Sequence, residues 1–178
     1  MFIIVEGVDK SGKSSLINEL SQLLNYPIVK NEFKPTEHKP EFIAGVYAGL
    51  YNTLLSCYSG DIILDRSHIT EIVYGRIVRS YNALKYFNWL QFEEEKLVKK
   101  AVVIYMTAND TTLERRHKED KEEYINVKQI PHIQQAYRDH IVSSNLEYLQ
   151  LSSERDMNKN MAEAMYFIQS FKKKYGHK

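Results

Sequence analysis

Gly7, Gly12, Lys13 and Ser14 fall in the spacing Gly-x-x-x-x-Gly-Lys-Ser near the start of the 178-residue chain, and each residue type has a physical task there. The glycines let the backbone turn tightly and approach a ligand without a Cβ in the way. Successive N–H groups of the turn form a nest for phosphate oxygens, reinforced by the positive end of the helix that should follow. Lys13 would reach the outer phosphates of a nucleotide, and the Ser14 hydroxyl would ligate Mg²⁺. Gly7, Asp9, Lys10, Ser11, Gly12, Lys13, Ser14 and Ser15 are therefore the expected cradle for the phosphates of a nucleotide. The competing reading is a Gly- and Ser-rich turn that binds nothing, which would require the glycines, the lysine and both flanking elements to coincide.

A second stretch carries chemistry: Asp65-Arg66-Ser67-His68-Ile69-Thr70-Glu71-Ile72-Val73-Tyr74-Gly75. Asp65 closes the apolar run Ile62-Ile63-Leu64, so its carboxylate should face the phosphate site and hold Mg²⁺ or its waters. Arg66 is a planar fork suited to a pair of phosphate oxygens; a structural Asp–Arg pair at a sheet edge is the alternative. The six histidines show no metal-ligand spacing. His68, although close to Asp65, reads as a surface residue.

The elements that must position these residues can be read from periodicity. Phe2 to Val5 is a short β-branched and aromatic run, a buried parallel strand. Leu16, Ile17, Leu20, Leu23 and Leu24 then recur at helical spacing, so strand, loop and helix stand in the order the motif requires. Strands are expected at 27–33, 61–65, 101–106 and 146–151. Helices are expected at 41–58, 69–98 with a break near 80–82, 131–145 and 157–175. Gly45 and Gly49, four apart, would permit close helix packing. Alternating strands and helices make an α/β domain with a five-stranded parallel sheet, right-handed crossovers and ligands beyond the carboxyl ends of the strands. One domain spans 1–178, with a charged lid at about 109–126.

Composition narrows the class. A formal charge of +1 argues against a broad nucleic-acid or membrane footprint. One cysteine, Cys57, rules out an internal disulfide and fits a reducing compartment. No apolar run approaches 18 residues and no leader-like segment opens the chain, so a cytoplasmic protein is expected.

Taken together, the two motifs resemble the thymidylate kinase family. Its P-loop is similar to Glu-Gly-x-Asp-x-x-Gly-Lys, matched by Glu6, Gly7, Asp9, Gly12 and Lys13, and its acceptor motif is matched by Asp65, Arg66, Thr70, Val73 and Tyr74. The resemblance extends more weakly over the whole chain, and the length is that of small virus-encoded members. It implies a P-loop kinase fold, ATP and Mg²⁺ as cofactors, a homodimer, and phosphoryl transfer to a deoxynucleoside monophosphate, dTMP to dTDP. By the same implication Arg66 binds the acceptor's phosphate, Asp9 accepts from the sugar 3′-hydroxyl and Tyr74 packs on the sugar. Lys10 neutralises the moving phosphoryl group, where arginine would be the expected residue. Lys13, Lys10, Arg66 and Asp65 are the implied catalytic set. Arg115 or Arg116 covers the nucleotide from the lid, and the register leaves open which.

The chain also departs from that pattern. Phe33 stands where an arginine is usual, and Lys34 is placed to take over contact with the acceptor phosphate. No arginine lies between Lys39 and Asp65 to accompany Phe42 in reading a base. A deoxynucleoside kinase is the alternative enzyme, since Asp65-Arg66-Ser67 resembles that family about as well; its general base would be Glu32. A non-enzymatic nucleotide switch would need a guanine-reading Asn-Lys-x-Asp segment, which is missing.

Overall fold

The computed structural model describes residues 1–31, 33, 39–87, 90–119 and 125–177. Apolar runs form the sheet. β1 (Phe2–Glu6), β3 (Ile62–Asp65) and β4 (Ala101–Thr107) are buried at every position, as strands covered on both faces must be. The edge strands β2 (Ile28–Lys30) and β5 (Glu147–Ser152) are more exposed. All pairings are parallel, in the order β2-β3-β1-β4-β5. The chain leaves β1 toward one edge and later crosses back to the other, so β1 lies at the switch point where α/β sheets open a crevice.

Strand alternation divides the core into two layers. Ile3 and Val5 join Leu16, Ile17 and Leu20 of α1 (Lys13–Leu24) and Ile168 and Phe171 of α7 (Met157–Tyr175). Phe2 and Ile4 face the other layer. There they meet α2 (Pro40–Ser56), α3 (His68–Ile77) and α6 (Ile130–Ser143) through Tyr47, Ile69 and Ile133. Each such apolar side chain contributes roughly 1.5–3 kcal/mol by leaving water.

Several boundaries differ from the periodic reading. The second strand is three residues long, not 27–33. The long helical region is α3, a short 3₁₀ turn at Ala83–Lys85 and α4 (Leu90–Leu97). Its break begins where Ser80 takes φ 57° and Asn82 accepts from Leu84 N–H at 3.1 Å. The charged segment forms α5 (Asp110–Glu119), and 120–124 lie outside the described residues. Gly45 and Gly49 do not serve helix packing: a Cβ on either would meet nothing within 4 Å, because α2 turns Ile43, Tyr47, Tyr51 and Leu54 inward. Among the described residues no helix is long and apolar enough to cross a membrane.

At the rim away from the strands' carboxyl ends, Asp61 pairs with the Met1 amine and accepts from Lys172 Nζ at 2.7 Å. Burial pushes the Asp61 carboxyl up, but hydrogen bonds from Lys172 and the Met1 amine outweigh it and hold it at about 2. A carboxyl depressed on folding adds stability above its unfolded value of about 3.9, lost as pH falls toward the folded value. Asp61→Asn should therefore cost no more than about 1 kcal/mol at pH 7, since solvent screens the site. Urea denaturation should show the gap between wild type and variant closing from pH 5 to pH 2; a gap independent of pH would refute the ion-pair account.

Candidate active site

The loop between β1 and α1 takes backbone angles that few side chains tolerate: φ is 143° at Gly7, 66° at Lys10 and 93° at Gly12. A Cβ on Gly7 would stand 2.2 Å from the Met106 carbonyl oxygen. Gly12 opens α1 without any side-chain cap, so the first N–H groups of the helix remain available to an anion. Ser11 Oγ is buried and has no hydrogen-bond partner among the described residues. Lys13 Nζ donates to the carbonyls of Gly7 and Val8, both at 2.8 Å. Burial, and after it the charge of Arg66, lowers the Lys13 amine to about 8, against the pull of Asp9, Asp65 and Glu6.

Glu6 ends β1 with none of its surface exposed. Its carboxylate accepts from Ser67 N–H at 2.7 Å, from Ser67 Oγ, and from Thr70 Oγ1 at 2.5 Å. Thr70 Oγ1 also lies 2.8 Å from Tyr137 Oη. Burial pushes the Glu6 carboxyl up, opposed by the hydrogen bonds from Ser67 and Thr70. Ser67 also caps α3, accepting from Ile69 N–H at 3.1 Å. One buried carboxylate thus couples the end of β1 to the start of α3.

Arg66 lies between them with φ 73°, fastened by its N–H to the Val5 carbonyl at 3.1 Å and by Asn31 Nδ2 donating to its own carbonyl at 3.2 Å. Its guanidinium pairs with Asp9 and sits 5.4 Å from the centre of the Tyr74 ring. Tyr74 Oη donates to Asp9 Oδ2 at 3.0 Å and accepts from Asp9 N–H at 3.2 Å. Burial raises the Asp9 carboxyl, but Arg66 and then Lys13 outweigh it, so it lies below the ordinary value. Asp65, 6% exposed, pairs in register with Val5.

The remaining expected residues are distributed as follows. Arg116 turns inward, donating to the Lys10 carbonyl at 2.7 Å and Ser153 Oγ at 3.0 Å. Arg115 faces solvent and pairs with Glu119 at 2.9 Å. Ser14 and Ser15 are exposed at the start of α1. Phe42 is 55% exposed on α2. Glu32 and Lys34 lie outside the described residues. His68 is not a surface residue: it is fully buried, 2.5 Å from Tyr51 Oη through Nδ1, and burial followed by His140 lowers it to about 3. Periodicity had no way to show that the α3 start turns under α2. Sequence reasoning also missed the ion pair of Glu71 with Arg79 and the approach of Ser153 to the loop, whose Cβ would be 2.9 Å from a Cβ on Gly12. The eight-residue spacing of Glu71 and Arg79 gave no helical signal because α3 ends between them.

No protein-family model matches the chain. The SPbeta prophage-derived uncharacterized protein YorR of Bacillus subtilis (strain 168) is 30% identical over 145 residues, 81% of this chain and 84% of YorR. The crystal structure of Bacillus subtilis YorR in complex with phosphorylated GDP has a TM-score of 0.77 to this chain, at 26% identity over 97% of each. Deoxyadenosine kinase from M. mycoides, with dCMP and a flexible dCDP bound, gives 0.62 at 17% identity over 96% of this chain and 99% of its own. Thymidylate kinase from Candida albicans gives 0.67 at 16% identity over 96% and 92%. These last two likenesses are of fold alone, so the kinship expected from the motifs is not specific to thymidylate kinase. By identity and coverage, the chain belongs to the family of YorR and has the fold of the P-loop nucleotide kinases.

Proposed function

We propose that the protein transfers the γ-phosphoryl group of ATP to a deoxynucleoside monophosphate, with dTMP the leading acceptor. The observation that carries this reading is the Arg66–Asp9–Tyr74 cluster against the phosphate loop. The solved relatives, which include a thymidylate kinase and a deoxyadenosine kinase, agree with a nucleotide kinase in general.

The phosphate loop, Ser11, Ser15 and Lys13 would bind the donor phosphates. Lys13 is held over the loop by two carbonyls and leaves them for a stronger, charged acceptor. Arg116, near Lys10 and Ser153, would close over the donor while Arg115 stays in solvent, and Lys10 would meet charge as it moves. A Mg²⁺ ion fits the donor set: Ser14 would supply a hydroxyl and Asp65 a carboxylate, and the buried Ser11 Oγ, unpartnered among the described residues beside a loop where Gly7 admits no Cβ, supports a phosphate site there. The ion would neutralise charge on the phosphates.

On the acceptor side, Arg66 gives Asp9 part of its fork and has further N–H donors to offer. Asp9 orients the guanidinium and keeps lone pairs for a sugar hydroxyl; Tyr74 would lie along the sugar. A nucleoside acceptor would need a general base; the expected one, Glu32, lies outside the described residues, and Asp9, held below the ordinary carboxylate range by Arg66, is a weak one. A phosphate acceptor needs none, because its oxygen is already a nucleophile.

The two acceptors should therefore be compared side by side at saturating Mg-ATP. We expect kcat/KM for dTMP at least about 100-fold above thymidine, with Arg66→Ala removing most of that preference, the scale of a charge-assisted contact. A preference for thymidine would hand the site to the deoxynucleoside kinase reading.

Lys13 offers a second test. Its amine, at about 8 in the free protein, is largely neutral at pH 9 and is recharged when phosphate arrives. Mg-ATP binding should thus take up little proton at pH 7, rising toward about one at pH 9, and weaken over that range. Calorimetry in buffers of differing ionisation enthalpy measures the uptake, and Lys13→Met should abolish it; equal uptake by wild type and variant would assign the proton elsewhere.

A further inference from the structure

Glu71 on α3 is a carboxylate with 1% of its surface exposed. Arg79, 8% exposed at its side chain, pairs with Oε2 and donates through Nη2 to the Phe33 carbonyl at 2.9 Å. Oε1 is buried and has no hydrogen-bond partner among the described residues. A buried ion that leaves one oxygen unused is expensive, and native structures retain such groups where a ligand or a water completes them.

The surroundings narrow what completes this one. Glu71 and Tyr74 are three apart on α3 and share a face of the helix. Tyr74 already belongs to the cluster with Asp9 and Arg66, which takes the sugar and phosphate ends of an acceptor. Beside it the partly buried Phe33 meets Tyr47 edge to face at 5.5 Å, and Tyr47, itself in the core, meets Phe87 at 5.9 Å. Burial first, then the charges of Tyr51, Glu6 and Glu71, raises the Tyr47 phenol well above its usual value, so the Glu71 charge is felt among these rings. The partly buried ring of Phe33 beside one charged acceptor suits a flat, neutral ring carrying an N–H, which is the chemistry of a nucleobase. No arginine lies between Lys39 and Asp65, so α2 brings no cation here; Arg79, bonded to the Phe33 carbonyl, does so from beyond α3.

We infer that Glu71 determines acceptor specificity, its Oε1 accepting a hydrogen bond from an N–H on the pairing edge of the base while Arg79 holds the carboxylate in place. The inference rests on the reading above that the acceptor lies along α3.

Removing Glu71 takes a carboxylate away from the buried Arg79 side chain, so the first arm uses the wild-type protein. dTMP, dCMP, dAMP and dGMP and their parent deoxynucleosides are each offered with Mg-ATP. Whichever is phosphorylated is then compared with its analogue carrying methyl in place of hydrogen on the pairing-edge nitrogen, 3-methylthymidine monophosphate in the case of dTMP. Wild type should lose at least about 100-fold in kcat/KM on methylation, as sites built around a hydrogen bond do. In Glu71→Ala the loss should shrink below about fivefold, with ATP affinity, measured separately, unchanged. Glu71→Gln keeps the size, and by turning an amide N–H to the base should cost the unmodified acceptor at least tenfold, on the order of one charge-assisted bond. If wild type accepts the methylated analogue equally well, or Glu71→Ala keeps the whole penalty, the assignment is wrong. Turnover of nucleosides alone would overturn the monophosphate reading while the methylation arm still decides the role of Glu71. No turnover of any acceptor would overturn both.

Discussion

The carboxylate of Glu6 is the contact on which the site's geometry depends. It ends the central strand, is removed from water, and takes hydrogen bonds from both the backbone and the hydroxyl of Ser67 and from Thr70. Those partners begin α3, so the phosphate loop on one side of Glu6 and Arg66 on the other are held by a single group. A buried carboxylate is tolerated only when its lone pairs are occupied, and here the requirement fixes the angle at which α3 leaves β3. The left-handed backbone of Arg66, unfavourable for a residue with a Cβ, is sustained by anchors on both sides: Val5 and Asn31 hold its backbone, and Ser67 follows it into the Glu6 network.

Around that anchor the charges are arranged in opposition. Lys13 and Arg66 stand close enough that each disfavours the other's charge, while Asp9, Asp65 and Glu6 compensate. Without ligand the cations are satisfied internally, Lys13 by carbonyls and Arg66 by Asp9. On the proposed reading, a polyphosphate entering the loop would exchange weak partners for strong ones without creating the site anew. Preorganised cations of this kind stabilise charge as it develops and need little rearrangement at the moment of reaction.

The parts that were legible in the sequence are those whose determinants are local. A Gly-x-x-x-x-Gly-Lys-Ser segment behind a β-branched run reads as a strand, a glycine-bearing turn and a helix, and the structure has that order. The strands, too, follow from short apolar runs. What escaped depends on pairs far apart in the chain. Glu6 meets Ser67 across 61 positions and Arg116 reaches Lys10 across 106, and such contacts follow from the strand order, which no single segment encodes. The inward turn of Arg116 illustrates this: on α5 alone Arg115 and Arg116 are equivalent, and the positions of Lys10 in the loop and Ser153 after β5 separate them. His68 was misread for the same reason, since its burial is decided by Tyr51 on a different helix.

On the proposed reading, α3 also explains why the chain does without an arginine on α2. A ligand held by residues from several loops depends on how those loops move. Here Arg66 precedes the helix, Glu71 and Tyr74 lie one turn apart within it, and Arg79 follows directly after its end. Phosphate, sugar and base contacts would thus share a frame whose spacing is set by the rise of one helix. That frame is clamped at its start by Glu6 and joined near its end to the strand-following segment by the bond from Arg79 to Phe33. A base contact moved from α2 to this frame gains rigidity, because it is tied to the same carboxylate that positions the phosphate loop.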